Sequence, residues 1–274
     1  MSSGIIGRPL CRQGDVTGSA AVDLDGRVVL VTGASGGIGS VTAVALGARG
    51  AAVVAHYGRN REGAEAAVLA LPEERRLLVQ ADLASPGAAR VLFSEALAWR
   101  GRVDVVVVNA ATLLETPFDG GDDLWDENWE ATLRVNVLEP ASLMREALRH
   151  FLDVGGGTII ALSSWAAERG SAIARLSAYA ASKAAVRNVA QTIARNHAKD
   201  GVLAYVVAPG IVRTPMSEVS AVARGGIDAV NAALSMGEMV PPEEVAELIA
   251  FLSTGRNRHL SGATIDVNGA TYIR

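Results

Sequence analysis

From Arg27 onward, short β-branched apolar runs alternate with Ala-rich stretches of helical length. The runs are Val28–Thr32, Ala51–Ala55, Leu77–Ala81, Val103–Asn109, Thr158–Leu162, Leu203–Val207 and Thr264–Val267. Several are almost wholly apolar, as strands covered on both faces must be. Between them the pattern predicts helices over Ile38–Arg49, Arg61–Ala70, Ala88–Trp99, Leu124–Phe151, Ala178–Ala198 and Glu243–Leu252. Repeated β-α-β units require a parallel sheet with right-handed crossovers and helices on both faces. The expected fold class is therefore α/β, one doubly wound domain with a seven-stranded parallel sheet.

No Pro- or Ser-rich linker interrupts this pattern, so residues 25–274 read as one domain. Residues 1–24 are punctuated by Gly, Ser and Arg and read as a loose extension, with no signal-peptide pattern. They hold Cys11, the single cysteine. One cysteine forms no internal disulfide and no Cys/His cluster suggests a metal, so a cytoplasmic setting is expected. The longest charge-free stretch, Val28–Ala48, is too rich in Gly, Ser and Thr at its centre to span a membrane. A net charge of −4 argues against nucleic acid and anionic lipid as partners. Met216–Pro241 contains no strand signal apart from a weak helix at Ile227–Leu234, and reads as a substrate lid. Its apolar residues, Met216, Val219, Val222, Ile227, Leu234, Met236 and Met239, face either a partly apolar substrate or the body of the domain.

Gly33, Gly37 and Gly39 lie between the first strand and the first helix. Glycines there permit a tight turn and let backbone N–H groups reach a pyrophosphate at the helix N-terminus. That context predicts a dinucleotide and a Rossmann-type site, although the spacing Gly-x3-Gly-x-Gly differs from Gly-x-Gly-x-x-Gly. Selection of the adenine ribose is written at the end of the second strand, where an acid would bind the 2′-hydroxyl of NAD. Here the segment is His56-Tyr57-Gly58-Arg59-Asn60-Arg61, with no acid before Glu62. Arg59 would attract a 2′-phosphate, so NADP(H) is expected over NAD(H).

Tyr179 and Lys183 are four apart within a predicted helix, on one face and one turn apart. A neighbouring ammonium favours tyrosinate and makes Tyr a usable acid/base nearer neutrality. The pair is rare by chance: with four Tyr and two Lys in 274 residues, about 0.03 such pairs are expected. The other 23 basic residues are all Arg. Arg would not supply the same compact charge, so the placement of one of two lysines here carries information.

Together these residues resemble the short-chain dehydrogenase/reductase family over roughly residues 24–274. Thr32-Gly33-x3-Gly37-Ile38-Gly39 is similar to its cofactor turn and Tyr179-x3-Lys183 to its catalytic motif. Asp82-Leu83 matches its adenine position, and Asn109-Ala110-Ala111 its Asn-Ala-Gly motif. Pro209-Gly210-Ile211-Val212-Arg213-Thr214 resembles the segment that holds the nicotinamide, and Leu260–Gly269 the last strand. The likeness is greatest to the branch of 3-oxoacyl-acyl-carrier-protein reductases.

The resemblance implies a catalytic set of Asn136, Ser164, Tyr179 and Lys183. Asn136 would position a water linked to Lys183, and Ser164 would bind the carbonyl oxygen. The implied cofactor contacts are Gly33, Ser35, Gly37, Ile38, Gly39, Arg59, Asn60, Asp82, Leu83, Asn109, Ala110, Ala111, Tyr179, Lys183, Pro209, Gly210, Val212 and Thr214. It also implies a homotetramer built through the two long helices. Three departures stand out: Ala111 for Gly, Gly36 where NADP-preferring members carry Arg, and about two extra residues between Ser164 and Tyr179. The expected activity is hydride transfer between nicotinamide and a carbonyl or secondary alcohol. An NAD-dependent alcohol dehydrogenase, a non-catalytic NAD(P)-binding sensor or scaffold, and a lyase or epimerase using the same cradle remain alternatives.

Overall fold

A computed structural model of the protein describes residues 22–222 and 224–273. Seven strands, β1 (Val28–Val31), β2 (Ala52–Tyr57), β3 (Arg76–Gln80), β4 (Val105–Val108), β5 (Gly157–Leu162), β6 (Val202–Pro209) and β7 (Thr264–Val267), form one sheet. All are parallel, in the order β3-β2-β1-β4-β5-β6-β7. The helices are α1 (Gly37–Ala48), α2 (Arg61–Val68), α3 (Ala88–Arg100), α4 (Asp122–Leu133), α5 (Glu139–Val154), α6 (Ala166–Arg169), α7 (Ser177–His197), α8 (Pro215–Val222), α9 (Ile227–Ala232) and α10 (Pro242–Ser253).

Strand periodicity divides the core in two. Val28 and Leu30 of β1 and Val106 and Val108 of β4 join one cluster with Leu92, Leu143 and Val186 from α3, α5 and α7. Val29, Val31, Val105 and Val107 join the other, with Leu46, Val68 and Ile249 from α1, α2 and α10. The order in which strands are added reverses between β1 and β4, and in such sheets the ligand crevice opens at the carboxyl ends beside that reversal.

The structure departs from the sequence reading in several places. Leu24, assigned to the N-terminal extension, is fully buried, and Asp23 accepts hydrogen bonds from Arg49 at 2.6 and 2.8 Å. Ordered packing therefore begins before residue 25; Cys11 lies outside the described residues. The helix expected over Leu124–Phe151 is split by a π-helical turn, Arg134–Leu138, between α4 and α5. The segment expected to be a lid contains a helix the sequence reading missed, α8, which starts on Pro215. Proline at a first helical position is a recognised start signal. Met239 and Leu234 join a small core with Ala221, Val230 and Ile211. Met216, one of the apolar residues named above for that segment, lines the crevice.

Candidate active site

Gly33 and Gly37 adopt positive φ, +68° and +54°, which side-chain-bearing residues avoid. Gly39 is ordinary helix, but a Cβ there would lie 2.1 Å from the Gly33 carbonyl oxygen. The start of α1 therefore packs directly on the turn. Thr32 fastens this turn to the end of β4. Its Oγ1 donates to the Val107 carbonyl at 3.1 Å and accepts from the N–H groups of Asn109 and Ala110 at 2.8 and 3.0 Å. Asn109 Nδ2 returns a bond to the Thr32 carbonyl at 2.8 Å. Asn60 caps α2 through Gly63 N–H and donates to the Ser35 carbonyl, so its amide supports the turn.

His56 completes the scaffold, and no sequence motif marked it. It is buried at the end of β2, where the Gly33 N–H donates to Nδ1 at 3.1 Å. An amide N–H can only donate, so Nδ1 is unprotonated and Nε2–H donates to the Ala81 carbonyl at 2.9 Å. Burial lowers the His56 pKa, which keeps the ring in this neutral state. His56→Leu would strand the Gly33 N–H, at about 1–3 kcal/mol. A several-fold rise in the dinucleotide dissociation constant is expected, with recovery in His56→Asn, whose Oδ1 can replace Nδ1. Equal constants for His56→Leu and the parent, measured by fluorescence titration, would contradict this role.

The cleft above these residues has a volume of about 850 Å³. Sixteen of the expected cofactor residues line it: Gly33, Ser35, Gly37, Ile38, Asn60, Asp82, Leu83, Asn109, Ala110, Ala111, Tyr179, Lys183, Pro209, Gly210, Val212 and Thr214. Gly39 lies behind the turn, and Arg59 is exposed outside the wall, between Gly58 and Asn60, which do line it. The first turn of α1 carries no acid and Gly36 offers no capping side chain, so its N–H groups suit an anion. Glycines that leave no side chain in the turn, the uncapped helix start and a polar Asp82 at the far end fit a dinucleotide. Ala111 has no positive φ, so the residue standing for the family's Gly is unstrained.

At the other end of the cleft, the close of β5 delivers Ser163 and Ser164 to different tasks. Ser163 Oγ donates to the Lys183 carbonyl at 2.8 Å, and Ser164 hydrogen-bonds the Tyr179 hydroxyl. Lys183 is buried, with Nζ donating to the Leu162 carbonyl at 2.8 Å and lying 5.8 Å from the Tyr179 ring centroid. The expectation that Lys183 draws the Tyr179 pKa down is not met. Burial pushes the phenol up to about 12 against the Ser164 bond, and burial lowers the ammonium to about 8. Desolvation outweighs attraction, and at neutral pH the pair is a phenol beside an ammonium.

Asn136 sits on the π turn, a distortion frequent at functional sites. Its side chain bridges two segments: Oδ1 accepts from Thr112 N–H, while Nδ2 donates to the Thr112 carbonyl and to Ser182 Oγ. Ser182 in turn donates to the Tyr179 carbonyl at 2.7 Å. Asn136 thus joins the segment after β4 to α7. Pro140, four residues on, has no N–H, so the Asn136 carbonyl lacks its ordinary helical donor. The long interval after Ser164 folds as α6 and a following loop, and Trp165, Arg169 and Ile173 from it line the cleft.

Strand order, a crevice at the reversal point and a glycine cradle define a dinucleotide-binding α/β protein. Comparison with known proteins gives the class its family. Residues 27–224 match the short chain dehydrogenase family. The chain is 34% identical over 260 residues to 3beta-hydroxysteroid dehydrogenase 1 of Eggerthella lenta, covering 92% of this chain and 95% of that protein. It is 35% identical over 245 residues to cis-4-hydroxycyclohexanecarboxylate dehydrogenase of Sinomonas cyclohexanicum, with coverage of 89% and 95%. A solved structure of ribose-5-phosphate isomerase from Brucella melitensis 16M superposes with a TM-score of 0.82 at 26% identity, over 91% of this chain and 93% of that one. The chain belongs to the short-chain dehydrogenase/reductase family and is an NAD(P)-binding oxidoreductase acting on CH–OH or C=O groups. The matches do not single out the 3-oxoacyl-acyl-carrier-protein reductase branch. No helix among the described residues is long and apolar enough to cross a membrane.

Proposed function

We propose that the chain is an NADP(H)-dependent oxidoreductase that interconverts a ketone and a secondary alcohol, with Tyr179 as general acid/base. The observation that carries this reading is the convergence of Ser164, Tyr179 and Lys183 in one cleft with the glycine cradle. The bound dinucleotide supplies or accepts the hydride. Ser164 Oγ donates to the carbonyl oxygen and stabilises the charge developing there. Tyr179, a neutral phenol, gives its proton to that oxygen in reduction and takes one back in oxidation. The Lys183 ammonium balances the phenolate this leaves. Asn136 is a positioning residue that ties α7 to the segment after β4.

The reaction should depend on pH in one direction. With the phenol held near 12, oxidation needs a scarce tyrosinate, whereas the acid form that serves reduction prevails at neutrality. The kcat/KM for alcohol oxidation should climb with a logarithmic slope of about one from about pH 6 to about pH 8, where Lys183 loses its charge. A flat profile across that range would reject Tyr179 as the base.

Preference for NADP(H) is supported by the absence of an acid from His56 to Arg61 and by Arg59 at the lip of the cleft. A charge-assisted bond to a 2′-phosphate contributes about 1.5–3 kcal/mol. Assays of a ketone and alcohol panel with both cofactors should favour NADPH, and Arg59→Gln should cut that preference about tenfold or more. Equal use of NADH by the parent, or an unchanged ratio in Arg59→Gln, would overturn the assignment. Two further proposals rest on the family resemblance. The substrate is covered by residues 216–241 as a lid over the domain of residues 25–274, and four chains associate through α4–α5 and α7; light scattering at the mass of one chain would contradict the second.

A further inference from the structure

The half of the cleft beyond Ser164 and Tyr179 is apolar in body, with Leu113, Trp165, Ile173, Leu176, Ile211 and Met216 in its wall. Two guanidiniums, Arg169 and Arg224, interrupt it. The one acid among the described lining residues is Asp82, at the opposite, dinucleotide end. Nearby arginines that do not line the cleft are neutralised: Arg175 pairs with Glu115, Arg187 with Glu168 and Arg213 with Glu238. Neither Arg169 nor Arg224 is in an ion pair with a carboxylate of the described residues. Both are kept as positive charge facing an apolar space.

Arg169 is also held in place. Its guanidinium stacks 4.7 Å from the centre of the Tyr272 ring, and Nη2 donates to the Ile273 carbonyl at 3.4 Å. The Tyr272 backbone is clasped by buried Asn268, whose Nδ2 donates to the Tyr272 carbonyl at 3.0 Å and whose Oδ1 accepts its N–H at 3.4 Å. A stacked guanidinium keeps its planar donor edge in one orientation, the geometry that suits a carboxylate or phosphate. Arg169 ends the single turn of α6, five residues after Ser164, or roughly 8 Å along a helical path.

Building on the oxidoreductase reading, we infer that Arg169 and Arg224 form an anion site for the substrate. The substrate class is then an apolar ketone or secondary alcohol that carries a carboxylate or phosphate away from the reacting carbon. Arg169 lies in the long interval between Ser164 and Tyr179, which gives that interval a task in substrate selection.

Two matched ketone pairs test this with the full chain and saturating NADPH: 4-oxocyclohexanecarboxylate against 4-methylcyclohexanone, and 4-oxopentanoate against 2-pentanone. Each acid should be preferred at least tenfold in kcat/KM, through a lower KM. Arg169→Gln and Arg224→Gln should each shrink that ratio several-fold, and the double variant should bring it near one. Acetoacetyl-CoA used better than either acid, with the same loss in Arg169→Gln, would assign the site to phosphate and support it equally. No preference for the acids or the thioester in the parent, or a preference untouched by both substitutions, would overturn the inference. Calorimetric titration of 4-oxopentanoate into the NADP⁺ complex separates this from the reading beneath it. Binding that weakens at least tenfold in the double variant supports the anion site even if no ketone is turned over, a result that would reject only the oxidoreductase reading. Binding of equal strength in parent and double variant would sink the site whatever the turnover.

Discussion

Tyr179→Phe should lower turnover by about 10²–10⁴-fold, the usual worth of a positioned general acid/base, and leave cofactor affinity within about twofold of the parent. The ring stays, so its packing stays. What is lost is one hydroxyl, bonded to Ser164 beside a buried ammonium. In the proposed mechanism that hydroxyl exchanges a proton with the substrate oxygen to which Ser164 donates. Because the phenol is neutral at pH 7, the substitution removes no charge, and the melting temperature should stay close to the parent's. Residual turnover above about a tenth would move the proton-transfer role elsewhere, with Lys183 the next group to test.

The second large effect is expected at Gly39. Replacing glycine by alanine inside a helix ordinarily stabilises it by up to about 1 kcal/mol. Here the new methyl would stand 2.1 Å from the Gly33 carbonyl oxygen and 2.6 Å from Asn109 Nδ2. Both neighbours are fixed, since Gly33 is bonded to His56 and Asn109 to Thr32. Relief must come from moving α1 off the turn, and overpacking of this kind costs about 1–3 kcal/mol or more. The displaced atoms are those that would face the pyrophosphate. Gly39→Ala should therefore weaken dinucleotide binding at least about tenfold and lower the melting temperature. Gly121→Ala, where nothing lies within 4 Å of the added carbon, should do neither. Unchanged affinity in Gly39→Ala would mean that α1 does not need its close seat on the turn.

Much of this arrangement was legible before any coordinates. The central strands announced themselves because they are buried on both faces, so β-branched runs such as Val105–Val108 have no polar positions to blur them. Tyr179 and Lys183 were legible because a helix converts a spacing of four into a shared face. The choice of Ser164 over Ser163 follows from strand alternation, and the two side chains do point to different partners. What stayed hidden depends on contacts between distant segments. His56 matters only once β2 lies between Gly33 and Ala81, 23 and 25 residues away in sequence. The π turn requires Asn136 to find Thr112 across 24 residues, which helical periodicity cannot encode. The direction of the Tyr179 pKa was misread for a related reason. Adjacency to Lys183 is written in the sequence, whereas the burial that outweighs it is a property of the assembled cleft.

The reaction proposed for this cleft is hydride exchange between a nicotinamide and a carbonyl carbon. The most direct measurement follows the hydride itself, by incubating the chain with NADPH deuterated at C4 of the nicotinamide and with the ketone panel, then analysing the products by mass spectrometry. The account predicts an alcohol carrying one deuterium on its carbinol carbon, formed by the parent and almost absent with Tyr179→Phe. Deuterated cofactor that binds in the cleft yet passes no deuterium to any ketone, as hydride donor at either C4 face, would contradict it.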